Sequence, residues 1–363
     1  MKILYIHKAY YDKRPPIIST VELLLKLNHH VTLITAGIKN ETKSSLIKRG
    51  VDVYDFGEMP DSKWRKLIYY LNFRYRSIDI IWRNCKNLII WIGSVDAAIA
   101  IGQYLFRFPY ILQIQELYDK NKLYLKKLGK YMTHSRVNVV PDNARALIFR
   151  SWFNLDTTPS LLPNKPFIHN HEKNQVILDS NNAQKFEQIK NKKLVLYQAV
   201  NIRMNTTDIA QALFELGDMY VLGLLGGIRD KTLVETMLRK YPNVVHFDHM
   251  FAPSHLTLTS KAWIGVLTYN YESLNNVFCA PNKTWEFSAF GIPMLANNLP
   301  ILKLQLEKYK AGETYEFGDI KSIKTAILEI SNNYEKYSEG AKKLYASANM
   351  EMNITNILDK MKQ

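Results

Sequence analysis

The sequence predicts an α/β protein made of two doubly wound domains, each a parallel sheet flanked by helices. Three observations predict it. Short β-branched apolar runs alternate with segments of helical period, and they do so twice. A polar, Asn-rich stretch with two prolines separates the two series. The chain has 363 residues, 47% of them hydrophobic, which is enough for two cores.

The first series opens with Lys2–His7, whose apolar run suits a buried strand and is too short for a secretory leader. Ile17–Leu27 carries Ile17, Val21, Leu24 and Leu25 at helical spacing. His30–Ala36 is a β-branched run stopped by Gly37. Val51–Phe56, Leu88–Ile92 and Tyr110–Ile114 read as further strands, with Ala97–Phe106 helical between the last two, and Val137–Val140 closes the set. Strand, helix and strand at this spacing predict βαβ units.

Leu161-Leu-Pro-Asn-Lys-Pro166 breaks the pattern, and 160–192 reads as a crossover. The second series has strands at Leu194–Gln198, Met219–Gly223, Val244–Phe247, Ala262–Leu267 and Met294–Ala296. Its helices fall at Asp208–Leu216, Thr232–Lys240 and Thr284–Phe290, and a long helical stretch runs from Ile320 to Lys362. The expected division is therefore 1–165, 166–345 and a helical tail over 346–363. Ligands of such sheets lie at the C-terminal ends of the strands, so two of them predict a site in a cleft between the domains.

The formal net charge of +15 is unevenly placed. Residues 1–165 hold 26 basic and 13 acidic side chains, and the remainder 22 and 20. Lys63–Arg76 combines five basic residues with five aromatics and no acid, and Lys120–Lys130 is similar. Basic amphipathic stretches with aromatics suit an anionic membrane surface, which the first domain would meet. No recognition motif supports nucleic acid as a partner. Cys85 and Cys279 make no disulfide framework and point to a reducing compartment. The longest apolar run, Leu88–Ala100, is broken by Asp96 and falls short of the roughly 20 residues of a spanning helix. The expectation is a cytoplasmic protein, peripheral at the inner face of the cell membrane.

The chemistry concentrates in Ala280-Pro-Asn-Lys-Thr-Trp-Glu-Phe-Ser-Ala-Phe-Gly-Ile-Pro-Met-Leu-Ala296. Pro281 suits the start of a helix, Gly291 and Pro293 stop it, and Met294–Ala296 is a buried strand. A helix start offers free N–H groups and partial positive charge to a diphosphate. A carboxylate one turn in, Glu286, can accept the hydroxyl hydrogens of a ribose.

This segment resembles the Pro-Asn-Lys-x-x-Glu-Tyr-x-x-x-Gly-x-Pro segment of retaining GT-B glycosyltransferases, the large family-four group. The resemblance implies two Rossmann-like domains, the first on the acceptor side and the second binding a nucleotide-sugar. It gives Glu286 the ribose. Leu196-Tyr-Gln-Ala-Val-Asn-Ile-Arg203 resembles the family's opening of the second domain and gives Arg203 the diphosphate, for which a guanidinium fork is suited. Ala199 stands there where glycine is usual. Val244-Val-His-Phe247 resembles the strand end lining the base pocket, which brings in His246 and Phe247. Asn276, Asn282 and Lys283 complete the expected donor-binding set.

Two departures stand out. Phe278 occupies the place of a glutamate that contacts the donor sugar, and Gln115 that of an acceptor-side histidine. Glu116 remains, either to orient the acceptor or as a structural glutamate. Arg203, Glu286 and Glu116 form the expected catalytic set. No Asp-x-Asp triplet occurs, and His246/His249 and His169/His171 lack a third ligand, so neither metal nor cofactor is expected. The resemblance implies a UDP-linked donor, with GDP as the other candidate, and retention at the transferred carbon. The acceptor would be lipid-linked or a glycan in surface polysaccharide synthesis. A non-catalytic scaffold on the same frame is the alternative that Phe278 and Gln115 leave open.

Overall fold

The computed structural model describes residues 1–84, 88–168, 170–202 and 206–362. The chain divides into two compact units, 1–167 with 349–363, and 168–348.

In the first unit β1 (Lys2–Ile6), β2 (His30–Thr35), β3 (Asp52–Asp55), β4 (Leu88–Ile92), β5 (Tyr110–Gln113), β6 (Val137–Val140) and β7 (Ser160–Leu161) form one sheet. The order is β3-β2-β1-β4-β5-β6-β7, and every pairing is parallel. The helices are α1 (Pro15–Lys26), α2 (Asn40–Lys48), α3 (Lys63–Asn84), α4 (Val95–Ile101), α5 (Lys122–His134) and α6 (Asn143–Phe153). The two prolines that open α1 occupy its first turn, where the missing N–H has no helical partner to lose. Ile3, Tyr5, Leu33, Trp91 and Ile111 bury one face of the sheet. Inside it Tyr5 Oη and Trp91 Nε1 donate to Gln113 Oε1 at 2.9 and 3.0 Å, so these three buried polar atoms satisfy one another.

The second unit holds β8 (Lys193–Asn201), β9 (Tyr220–Gly227), β10 (Val244–Phe247), β11 (Ile264–Leu267), β12 (Met294–Asn297) and β13 (Gly312–Tyr315), in the order β10-β9-β8-β11-β12-β13. Its helices are α7 (Ser180–Glu187), α8 (Thr207–Leu216), α9 (Lys231–Lys240), α10 (His255–Thr259), α11 (Leu274–Val277), α12 (Asn282–Ala289), α13 (Pro300–Tyr309), α14 (Ile320–Asn332) and α15 (Tyr334–Ala346). This sheet is also wholly parallel. Each sheet therefore reverses its winding once, between β1 and β4 and between β8 and β11, the places where such sheets open for ligands.

The last helix, α16 (Met350–Lys362), belongs to the first unit. Ile354, Ile357 and Leu358 are buried in its core with Val21 and Leu24 of α1, and Lys26 pairs with Glu351 at 2.6 Å. The stretch expected as a tail is thus one wall of the N-terminal core. Helical periodicity marks an apolar face but says nothing about which core receives it.

Candidate functional site

The winding reversal of the second sheet is covered by α12. Pro281 is its N-cap, in extended conformation. At the other end Gly291 takes φ +63°, and the N–H of Ile292 returns to the Phe287 carbonyl at 3.0 Å. Phe287 lies against Gly265 of β11, where an added Cβ would come within 2.3 Å of the ring. That close approach holds the helix on the strand. In a right-handed βαβ unit the helix runs against its strands, so the N-terminus of α12 sits at their C-terminal edge.

Glu286 is one turn into α12 and only 4% exposed. One carboxylate oxygen accepts a hydrogen bond from Gln198 Nε2 in β8, where the register with β9 shifts. The other lies 3.4 Å from His255 Nε2 on α10. Gln198 is itself fixed, since Thr259 Oγ1 donates to its Oε1 at 2.9 Å. Three elements, β8, α10 and α12, thus hold one carboxylate, as a buried charge requires. Lys283 extends between the rings of Tyr197 and Tyr269, 5.4 and 5.5 Å from their centroids. Asn282 is the first residue of the helix.

The remaining expected residues fall in different places. His246 Nε2 donates to the Gly226 carbonyl at 2.9 Å, which ties the end of β10 to that of β9. Gly226 has φ +148°, and a Cβ there would meet the Ala199 carbonyl at 1.9 Å. Phe247 is wholly buried in the apolar core and offers no ring face to a base. The residue two positions along a strand from an exposed one shares its face, but burial decides whether that face is open. Asn276 donates through Nδ2 to Asn270 Oδ1 and clamps its own loop. Glu116 belongs to the first unit, is exposed and follows β5. Arg203 lies outside the described residues. Asn201, Ile202, Arg229, Asp230, Lys231, Thr232 and Leu233 line an open hollow of about 790 Å³ at the ends of β8 and β9. This hollow is not lined by Glu286.

Gln198, His255 and Thr259 were not among the residues expected. Gln198 carried a signal, a polar residue closing an apolar strand at the sheet's C-terminal edge. His255 carried none, because its role depends on a helix from elsewhere in the chain.

At the winding reversal of the first sheet, His7 follows β1 and is 3% exposed. Neither ring nitrogen has a hydrogen-bond partner among the described residues, and the same holds for Gln115 Nε2. Burial, reinforced by the Arg14 guanidinium, lowers the His7 pKa to about 3. Tyr118 adopts φ +57°, an uncommon conformation for an aromatic residue, and its ring lies 4.6 Å from that of Tyr124 at a tilt of 46°, and the Tyr124 hydroxyl donates to Asp96 at 2.8 Å.

No family model matches the chain, and no curated protein matches it by sequence. Among solved structures it is similar to HepE of Anabaena in complex with UDP and glucose, at 12% identity and a TM-score of 0.72 over 100% of this chain and 98% of that one. A glycosyltransferase from Rickettsia africae is similar at 12% identity and a TM-score of 0.71, over 99% and 97%. WaaG, a glycosyltransferase involved in lipopolysaccharide biosynthesis, is similar at 11% and 0.64, over 99% of both chains. The chain has the two-domain GT-B fold.

Proposed function

We propose that the protein is a glycosyltransferase that moves a sugar from a UDP-linked donor, with retention, to a lipid-linked or glycan acceptor in surface polysaccharide synthesis. The observation that carries this reading is Glu286, a buried carboxylate held by Gln198 and His255 one turn into a helix whose N-terminus meets the strand edge. Such a carboxylate takes ribose hydroxyls, while the positive end of the α12 dipole stabilises the departing diphosphate together with Arg203 and Lys283. The site is proposed to work without a metal. HepE, solved with UDP-glucose, supports UDP as the nucleotide.

The membrane part of the reading is supported by α3. Trp64 (78% exposed), Ile68 (66%), Leu71, Tyr75 and Trp82 (60%) follow one helical face. The opposite face, with Phe73, Ser77, Ile80 and Ile81, is buried, and Tyr70 Oη holds α3 to α4 through the Ile99 carbonyl at 2.7 Å. Lys63, Arg65, Lys66, Arg76 and Arg83 accompany the apolar stripe, and its single acid, Asp79, is paired with Arg83 at 2.9 Å. Lys122, Lys126, Lys127 and Lys130 of α5 are exposed nearby in the same unit. This is the chemistry of an interfacial helix on anionic lipid. Among the described residues, no helix is long and apolar enough to cross a membrane.

The test is thermal unfolding with UDP, GDP, ADP, CMP and dTDP. A nucleotide that binds only the folded state at a hundred times its dissociation constant adds about 2.7 kcal/mol. Stabilisation by UDP that Glu286→Ala abolishes is the expected result. Stabilisation by none of them removes the reading's support and favours the scaffold.

A further inference from the structure

Two cations of the first unit, Lys8 and Arg74, are half-buried around one ring, that of Tyr70. Lys8 follows β1, and its backbone N–H lies 3.4 Å from Oγ of Ser94, the N-cap of α4. Its Nζ sits over the Tyr70 ring, 5.2 Å from the centroid. Arg74 is one turn beyond Tyr70 on α3. Its guanidinium lies against Gly102, where φ is +76° and an added Cβ would come within 3.1 Å of Nη2. Burial raises the pKa of the Tyr70 and Tyr131 hydroxyls, and the Arg74 charge opposes the shift in both, so it reaches both rings. Among the described residues neither cation has an ion pair or a side-chain hydrogen bond. Asp96, whose charge reaches Lys8, is exposed and already accepts the Tyr124 hydroxyl at 2.8 Å. A half-buried charge without a partner costs free energy, and a bound anion returns it.

The surroundings decide which anion. Lys63, Lys66, Tyr70 and Arg74 recur at helical spacing along one edge of α3. That edge faces α4, to which the Tyr70 hydroxyl is bonded at the Ile99 carbonyl. Leu67 and Leu71 of the exposed apolar stripe adjoin it. An interfacial helix buries its stripe at the boundary of headgroups and acyl chains, so side chains on the stripe's edge stand at the depth of the lipid phosphates. Two cations beside one ring match a group with two negative charges. An ammonium and a guanidinium fork supply donors for several oxygens of a terminal phosphate, whereas a phosphodiester offers a single charge.

We propose that Lys8 and Arg74 bind the terminal phosphate of a membrane lipid, a phosphomonoester or diphosphate, whose chains stay in the bilayer beside α3. The proposal rests on the membrane reading of α3 and adds to its diffuse attraction a site for one class of headgroup. Lys8 stands at the winding reversal of the first sheet, so the site brings such a lipid to the edge where a lipid-linked acceptor would be received.

The experiment is vesicle flotation of the full chain at matched zeta potential. Phosphatidylcholine vesicles carry either phosphatidic acid, a phosphomonoester, or phosphatidylglycerol, a phosphodiester. Wild type should partition about tenfold more strongly onto phosphatidic acid. Lys8→Gln with Arg74→Gln should abolish that preference. Lys126→Gln with Lys127→Gln removes the same charge from the exposed face of α5. It should weaken binding to both vesicles and keep the preference, because surface charge acts on any anionic membrane. Arg74→Lys should lose part of the preference, since an ammonium lacks the fork. No preference in wild type overturns the proposal whatever the variants do. So does an equal loss of preference in the two double variants, which would reduce the effect to net charge. If circular dichroism shows the Lys8/Arg74 double variant unfolded, Lys8→Gln alone decides, and an unchanged preference there overturns the proposal. Glycerol 3-phosphate at about 1 mM should leave the preference in place, because it lacks the local concentration of a bilayer lipid. Its abolishing the preference would assign the site to a free phosphate instead. The two levels separate cleanly. If wild type floats with neither vesicle, the membrane reading falls and takes this proposal with it. If it floats with both alike, only the headgroup site is wrong.

Discussion

The two sheets wind alike, yet the edges where each reverses are chemically opposite. The second holds a carboxylate, Glu286, with Gln198 on one oxygen and His255 beside the other. The first holds a buried imidazole, His7, with no close hydrogen bond to either nitrogen among the described residues. The difference shows what burial permits. A charge cannot be enclosed without partners, so Glu286 comes with its own. A neutral ring can be enclosed at lower cost, and His7 stays neutral because burial and Arg14 push its pKa down. One edge is preorganised around a charge, and the other around a ring kept neutral.

Four measurements break or sharpen this contrast. The largest effect is expected from Glu286→Ala, which should remove all of the UDP stabilisation, about 2.7 kcal/mol at a hundredfold excess over the dissociation constant. A variant still stabilised by UDP would show that the second edge does not work through its carboxylate.

Next is the acid response of the first edge. The His7 pKa falls from 6.5 when unfolded to about 3 when folded. A base whose folded value is depressed contributes stability that is complete above pH 6.5 and is lost as pH falls from there toward 3, since the unfolded chain takes up the proton. From pH 7 to pH 5 the wild type should therefore lose about 2 kcal/mol more than His7→Gln in urea unfolding. Parallel curves for the two proteins would mean that His7 is not held neutral.

On the surface, Trp64→Ser with Trp82→Ser should lower partitioning onto vesicles of anionic lipid by about tenfold, or about 1.4 kcal/mol. Circular dichroism should not change, because both rings are exposed. Unchanged partitioning with altered oligomeric state would instead make the α3 stripe a contact between copies of the chain. Last, EDTA should leave UDP binding unaffected, and a loss restored by magnesium would overturn the metal-free reading.

Much of this was legible in the chain. Pro281, Gly291 and Pro293 bounded α12 because start and stop signals act within one turn. Strong apolar runs marked β1, β2, β4 and β11. The weaker elements were not legible: β13, Gly312-Glu-Thr-Tyr315, is half polar and becomes a strand by pairing with β12. α3 read as a basic aromatic stretch, but only packing separates its buried Phe73 from its exposed Trp64.

The sequence by itself determined the two parallel sheets, the break after Leu161-Leu-Pro, the concentration of positive charge in the first unit and the helix that carries Glu286. Each of these is set by local pattern or by composition, which tertiary contacts do not alter. Tertiary structure alone decided that α16 completes the N-terminal core, that Phe247 is packing, and that Glu286 is met by Gln198 and His255. Those residues are 88 and 31 positions away in the chain, and the folding of β8, α10 and α12 onto one strand edge is what makes them neighbours.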